Sequence, residues 1–520
     1  MEEKDTKEKK GMSRRSVLKG SIALGALAVG GGLALNLSAP NTAEAVVKKL
    51  PKKWDETWDV VVVGSGFSGF AAAAEAAGAG AKVVILEKMP TYGGNSIING
   101  GGYAAWDSKL KFREKLNRGE DSPKRHFDDT MKGGDYYNIP ELVEVMVNNA
   151  PDALNWMIDE GGLEMREILT TGGGHTAYRC YFSKNASGRD YVEALKKIAD
   201  KRGAKLMLNT AITWIWRKDA DPKSPVLGVE VKKGNKVINI RTKKGIVLAS
   251  GGFSRDVKMR MEHYPRLIEA FNCTNHKGAT GEIIRYAKAV GADTLHLNFI
   301  QLFPFAEPES GILDRPAVYP FTGPGFGCIY VSKLGKRFVN ELDRRDVCAF
   351  AQVALGPNMK PTYTVFNEAM VPSMGGNAKE LEDGMKKGRF IKGETVEELE
   401  QKLGMPTGSL VKTINDHNRY IKEKKDPEFN KPIKDAMITM EKGPYYAVAM
   451  WPAVHHTMGG LRINKNAQVI DVFGSPIPGL YAAGEVTGGV HGSNRLGTNA
   501  LTDCVVFGRI AGKNVAKEKG

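Results

Sequence analysis

The stretch WDVVVVGSGFSGFAAAAEAAGAGAKVVILEK, residues 58–88, decides the fold. A run of valines ends in glycines, an alanine-rich segment follows, and a second β-branched run ends at Glu87. Apolar runs bounded by turn signals on either side of a helical stretch spell a βαβ unit. Gly64, Gly66 and Gly69 stand in the spacing GxGxxG, and Glu87 follows Gly69 by eighteen residues. In that spacing the first glycine permits a tight turn and the second lets the backbone approach a pyrophosphate. The third lets the helix pack close to its strand, and the helix N-terminus favours the phosphates. A carboxylate closing the second strand accepts hydrogen bonds from ribose hydroxyls and repels a 2′-phosphate. The unit therefore predicts a Rossmann-type α/β domain holding a dinucleotide, FAD or NAD rather than NADP.

A second glycine-rich stretch, GGNSIINGGGYAA at 93–105, follows the ribose-binding strand directly. It offers backbone amides and small side chains to a flat ring, which favours flavin.

The rest of the chain sets bounds on this reading. At 520 residues it is too long for one ordinary domain, and 42% hydrophobic with 26% charged residues is the balance of a soluble globular protein. The N-terminus carries Arg14 and Arg15, an apolar Gly/Ala-rich run, and TAEA at 42–45, a small-x-small cleavage site. This pattern is that of a twin-arginine export signal over residues 1–45 and implies a periplasmic destination. Its removal lowers the formal charge from +15 to +13. A basic balance of this size favours anionic small molecules or an acidic protein partner. The lysines are dispersed and no nucleic-acid-binding motif occurs, so no nucleic-acid partner is expected; nor is a membrane span in the mature chain. The five cysteines are widely spaced, without CxxC or CxxCH, which argues against a metal site, an iron–sulfur cluster or covalent haem and for free thiols.

Residues 46–54 read as a basic linker. Strand and helix patterns run to about residue 297; from 298 to 454 the chain becomes aromatic- and proline-rich without repeating the βαβ theme, and from 455 to 520 strands and a final helix return. The expected organisation is an FAD-binding domain in two segments, 55–297 and 455–520, with an α+β capping domain inserted at 298–454.

The order of motifs now carries a resemblance. GxGxxG, GGNS, ASGGF (249–253), NHKGATGE (275–282), GKRFVNELDRRD (335–346), HHTMGG (455–460) and GEVTGGVHGSNRLGTNA (484–500) together resemble the flavoprotein family of soluble fumarate reductases, flavocytochromes c and urocanate reductases. The resemblance spans residues 57–517 and implies FAD at the interface of the two domains. Carried over position by position, it implies cofactor contacts at Gly64, Gly66, Ser68, Gly69, Glu87, Lys88, Asn95, Ser96, Gly100, Gly101, Ala211, His456, Glu485, Ala500 and Leu501. It implies a carboxylate grip by His455 and Arg495, with Gly102 and Thr498 beside it. Arg345 matches the proton donor, while Arg344 is expected to pair with Asp343, Asp346 or solvent. The reaction implied is reduction of an activated alkene, with hydride from flavin N5 and the proton from Arg345.

Two departures refine the expectation. IQLFPF at 300–305 puts Phe303 where fumarate reductases carry a histidine for the second carboxylate, and the Thr-Glu-Ala-x-x-Arg segment is replaced by ILDRPAVYPFTGPGFG. A second carboxylate buried against an aromatic ring is costly. The expected substrate therefore has one carboxylate, of acrylate, methacrylate, cinnamate or urocanate type, with Phe303, Phe305, Tyr319 and Phe321 as candidate walls. A fumarate reductase with a rearranged cap, or a flavin dehydrogenase working oxidatively, is the alternative. Proton resupply to Arg345 falls to Glu341, Asp343 or Asp346. With no haem motif, a periplasmic c-type cytochrome is the expected electron donor, and non-covalent FAD is expected because no histidine-attachment context is evident.

Overall fold

In the βαβ unit the strand Glu56–Val63 pairs in parallel with Val83–Leu86, Val60 opposite Val83, and the alanine-rich helix Phe67–Gly78 crosses between them. The computed structural model describes residues 48–519 apart from 173, 220, 222, 269 and 270; the expected export signal and the first two linker residues lie outside the described residues. Five strands run parallel in the order Pro476–Ala482, Lys236–Leu248, Glu56–Val63, Val83–Leu86 and Lys205–Met207; antiparallel Gln468–Ile470 is added at one edge, and the antiparallel pair Thr210–Arg217 and Val226–Lys233 branches from Lys236–Leu248. Their near-continuous Val/Ile/Leu runs are what a sheet buried on both faces requires. This is a Rossmann-type sheet, and its strand Pro476–Ala482 comes from the far end of the chain.

The final helix, Asn499–Val515, packs against Phe67–Gly78 at unusually close range. A Cβ at Gly512 would lie 2.2 Å from the Ala72 carbonyl oxygen, and one at Gly508 2.7 Å from that of Ser68. Alanines on one helix and glycines on the other are what allow this approach.

Within residues 298–454 an antiparallel sheet forms from Ile300–Ala306, Tyr445–Thr457, Thr362–Asn367, Ile329–Val331 and Phe390–Gly393, with its own apolar clusters. The expected boundary at 454/455 falls inside the unbroken strand Tyr445–Thr457. In that strand His456 pairs with Gln301 and Val454 with Leu302, so His455 is the extra residue of a β-bulge. Bulges re-aim side chains and gather at functional sites. Among the described residues no helix is long and apolar enough to cross a membrane.

Candidate active site

A cleft of about 930 Å³, solvent at its mouth included, is lined by Gly64, Glu87, Ala249 and Ala483, each just beyond the C-terminal end of a parallel strand. That is where doubly wound sheets hold their ligands. Gly64 adopts φ +99°, and a Cβ there would lie 2.4 Å from the Ala249 carbonyl oxygen; a Cβ at Gly69 would lie 1.9 Å from that of Gly64. The turn is thus sealed to any larger residue. Glu87 is held in place by its own neighbours. One oxygen accepts from Ser65 N at 3.1 Å and Ser65 Oγ at 2.6 Å, the other from Met89 N at 2.9 Å. A carboxylate has about four acceptor sites, so one remains for a ribose hydroxyl.

The GGNS loop is tied in on both sides. Ser96 Oγ accepts from Phe67 N at 3.1 Å, and Asn95 Oδ1 accepts from His276 N at 2.6 Å. Lys88 lines the cleft but donates to Thr280 Oγ1 at 2.7 Å and pairs with Glu282. Gly66, Ser68, Asn95 and Ser96 line the cleft near Gly64, and Thr210 and Ile212 line it on either side of Ala211. Gly101 adopts φ +64° against Ser187. Glu485 and Cys504 line the same cleft. A sealed glycine turn, a helix N-terminus whose N-cap residue, Gly66, has no side chain, and a carboxylate with a spare acceptor fit an adenine dinucleotide.

The second half of the site gathers around two guanidiniums. Arg495 is buried; it donates to Gln301 Oε1 at 3.0 Å and Leu496 O at 3.1 Å, and its Nε has no partner. Arg345 opens the helix Arg345–Ala354. Its guanidinium carbon lies 5.3 Å from the Phe303 ring centre and 5.0 Å from that of Phe321. Among the described residues neither arginine has an ion-pair partner within 4.0 Å. Burial, and then the charge of Arg495, push Arg345 down to about 9; burial pushes Arg495 down to about 10 against the pull of Glu485. Buried Arg495 and half-buried Arg345 repel each other, and a bound anion offsets that cost.

His455 completes the group. Its Nδ1 shares a hydrogen bond of 2.7 Å with Thr274 Oγ1, and its ring lies 5.1 Å from that of Phe303. Burial, then the charges of Arg495 and Arg345, hold its pKa well below the usual histidine range, so it is neutral. Thr498, whose hydroxyl lies 3.2 Å from Cys180 Sγ, adopts φ +69°, a left-handed conformation unusual for a β-branched residue. A Cβ on Gly102 would lie 2.5 Å from the Thr498 methyl group. The first turn of the final helix, which contains Ala500 and Leu501, is stitched to the backbone of Ala104 by the Thr502 hydroxyl at 2.8 and 3.0 Å.

A family model described as FAD binding domain matches residues 59–501. The urocanate reductase of Eggerthella lenta is 35% identical over 91% of this chain and 77% of its own length. The acrylate reductase flavoprotein subunit of Shewanella woodyi is 33% identical, over 96% of this chain and 98% of its own. The NADH:fumarate oxidoreductase of Klebsiella pneumoniae is 36% identical over 89% of this chain, which spans only 48% of that longer protein. A flavocytochrome c3 fumarate reductase, solved in its open conformation, superposes with a TM-score of 0.73 at 32% identity over 98% of this chain and 82% of its own. The chain belongs to this FAD-binding oxidoreductase family.

In this flavoprotein several positioning residues escape sequence reasoning. Gln301 clasps Arg495 from both sides: its Nε2 donates to Arg495 O at 2.9 Å and to Asn494 Oδ1 at 2.7 Å, and its Oε1 accepts from the guanidinium. His175 shares a 2.8 Å hydrogen bond with Gly497 O. Its other nitrogen faces Arg179, which is itself locked by Asp121 and Asp129. Each is a single polar residue in a segment without periodicity, paired with a partner far away in sequence. Only the odd polar residue in IQLFPF signals one of them.

The candidate walls and relays separate. Phe303 and Phe321 flank Arg345, and Phe305 packs behind Phe303 at 5.3 Å. Tyr319 instead stacks on Phe366 within the 298–454 segment. Glu341 is buried with Arg337 and Lys431; burial alone would raise its pKa, but those two cations hold it down at about 2. Asp346 pairs with Arg344, whose other partner is Asp135, and Asp343 accepts from the Arg344 backbone.

Proposed function

We propose that this flavoprotein reduces the C=C bond of an α,β-unsaturated monocarboxylate with an apolar or aromatic β-substituent, of acrylate, methacrylate, cinnamate or urocanate type. One observation carries the reading. Among the described residues two guanidiniums, buried Arg495 and half-buried Arg345, have no ion-pair partner within 4.0 Å, and the aromatic rings of Phe303 and Phe321 beside Arg345 offer nothing to a second carboxylate.

Arg495 binds the substrate carboxylate through its guanidinium and pulls charge toward it as the alkene is reduced. Neutral His455, with Nδ1 engaged by Thr274, offers its other nitrogen to the same carboxylate. Gln301 keeps Arg495 in register with the strand that carries His456. Arg345 protonates the α-carbon; a depressed pKa makes it a better acid than a free guanidinium, and the carbanion it meets is a far stronger base. Phe303 and Phe321 hold its plane and exclude water. FAD, held non-covalently by the cleft that Gly64, Glu87, Asn95 and Ser96 line, would supply the hydride for the β-carbon.

Arg14, Arg15 and the TAEA site support export by the twin-arginine route to the periplasm. A charge of +13 after cleavage suits docking to an acidic c-type cytochrome as electron donor.

The test is an anaerobic assay of FAD-loaded protein with a reduced viologen dye, offering fumarate beside acrylate, methacrylate, cinnamate and urocanate. Turnover of a monocarboxylate without fumarate turnover is expected. Fumarate turnover at a comparable rate would overturn the assignment of Phe303.

A further inference from the structure

Four ionisable side chains form a line leading inward from the cleft. Glu485 lines the cleft; its Oε1 accepts from Thr457 N at 3.0 Å and lies 3.7 Å from His456 Nδ1. The His456 and His491 rings meet edge to face, 5.4 Å between centres. His491 Nε2 lies 3.3 Å from Asp503 Oδ2. The four come from three places in the chain: the bulged strand, the loop after Ala482 and the final helix.

The line is sealed but incomplete. His456, His491 and Asp503 are 6%, 4% and 2% exposed. His456 Nε2, both ring nitrogens of His491 and Asp503 Oδ1 are buried without hydrogen-bond partners. Native proteins rarely leave such atoms unsatisfied, and a cluster of them calls for an explanation. A metal does not explain them: among the described residues no set of His, Cys, Asp and Glu could hold one. The charged and titratable groups facing the line are Arg495 from its own loop, Arg345 from the 298–454 segment, His455 from the strand and Cys504 from the final helix.

We propose that Glu485, His456, His491 and Asp503 are a proton-uptake site that takes one proton from solvent when FAD bound in the cleft is reduced. An external donor supplies two electrons to FAD. Beyond the proton that the reduced cofactor would itself take from solvent, one further proton forms an N–H or O–H bond within the line, and no other bond is made or broken there. The physical cause is the negative charge placed beside Glu485, which raises the proton affinity of every group nearby. Burial already lifts Glu485 to about 7 and holds His456 neutral, so added negative charge tips the balance near neutral pH. The inference rests on FAD binding alone and stands whichever alkene is reduced.

The test counts protons with an indicator dye in weakly buffered solution at pH 7.5 while FAD-loaded protein is reduced electrochemically without substrate. Wild-type protein is expected to take up close to one proton per FAD more than free FAD at the same pH, and His491→Asn and Asp503→Asn are expected to lose that excess. Uptake by wild type equal to that of free FAD overturns the proposal even where a variant fails to fold. Retention of the full excess by FAD-loaded variants overturns it as well.

Discussion

The ring of Phe303 lies against the guanidinium of Arg345, 5.3 Å from ring centre to guanidinium carbon. An aromatic face stabilises a cation without accepting its protons. A carboxylate or histidine in the same place would compete for them. The residue that argues against a second substrate carboxylate thus also leaves the proton on Arg345 available for transfer.

Phe303→His should move specificity toward dicarboxylates. A titratable nitrogen between His455 and Arg345 supplies a charge-assisted partner, which is worth about tenfold or more. At pH 6 the ratio of fumarate to monocarboxylate kcat/KM should rise by at least that factor in the viologen assay. An unchanged ratio would mean that Phe303 does not face the substrate.

Arg345→Ala should lower kcat by about 10² or more, the usual worth of a positioned acid, while the carboxylate grip persists. In the wild type kcat should also fall as pH rises through about 9, where Arg345 loses its proton. A profile flat to pH 11 would show that Arg345 is not the titrating acid.

Glu485 gives a stability prediction for the protein without cofactor. Burial raises its carboxyl to about 7, against the pull of Thr457 and Arg495. The folded state therefore holds this proton more tightly than the unfolded chain. The stability it contributes is complete below about pH 4.3, the unfolded value, and is lost as pH rises through about 7. The Tm of wild type should fall between pH 5 and 8 by more than that of Glu485→Gln. Equal slopes would contradict the raised value.

Gly69→Ala tests the cofactor turn. The new Cβ would meet the Gly64 carbonyl oxygen at 1.9 Å, so helix and turn must part. Such overpacking costs about 1–3 kcal/mol. The variant should purify with less than one FAD per chain and a lower Tm, by absorbance ratio and thermal melt. Full FAD occupancy would refute the close approach.

The nucleotide half of the fold was legible because its signals are local. The valine run, the glycine spacing and Glu87 sit within one βαβ unit, and each has a single steric or electrostatic purpose. Arg345, His455 and Arg495 were reachable only through the order of motifs, since no spacing links residues so far apart. Thr274 and His175 were not reachable, because each acts through a partner in a distant segment, and Gln301 showed only as the odd polar residue in IQLFPF. Tyr319 shows the converse limit: its aromatic-rich neighbourhood fits a pocket wall and a hydrophobic core equally well, and it packs in the core.

The strand Tyr445–Thr457 carries a mechanical consequence. Its N-terminal half is the spine of the sheet in the 298–454 segment, pairing with Thr362–Asn367 and Phe390–Gly393, and its C-terminal end bears the bulged His455. Its C-terminal end is pinned as well: the Val454 backbone bonds Asn272 and Thr274 at 2.8 and 2.9 Å, next to the Thr274 hydroxyl that holds His455. The strand is therefore a tether with the histidine at its fixed end, and a tilt of the sheet would bend it ahead of His455 while the imidazole stayed with residues 272–274.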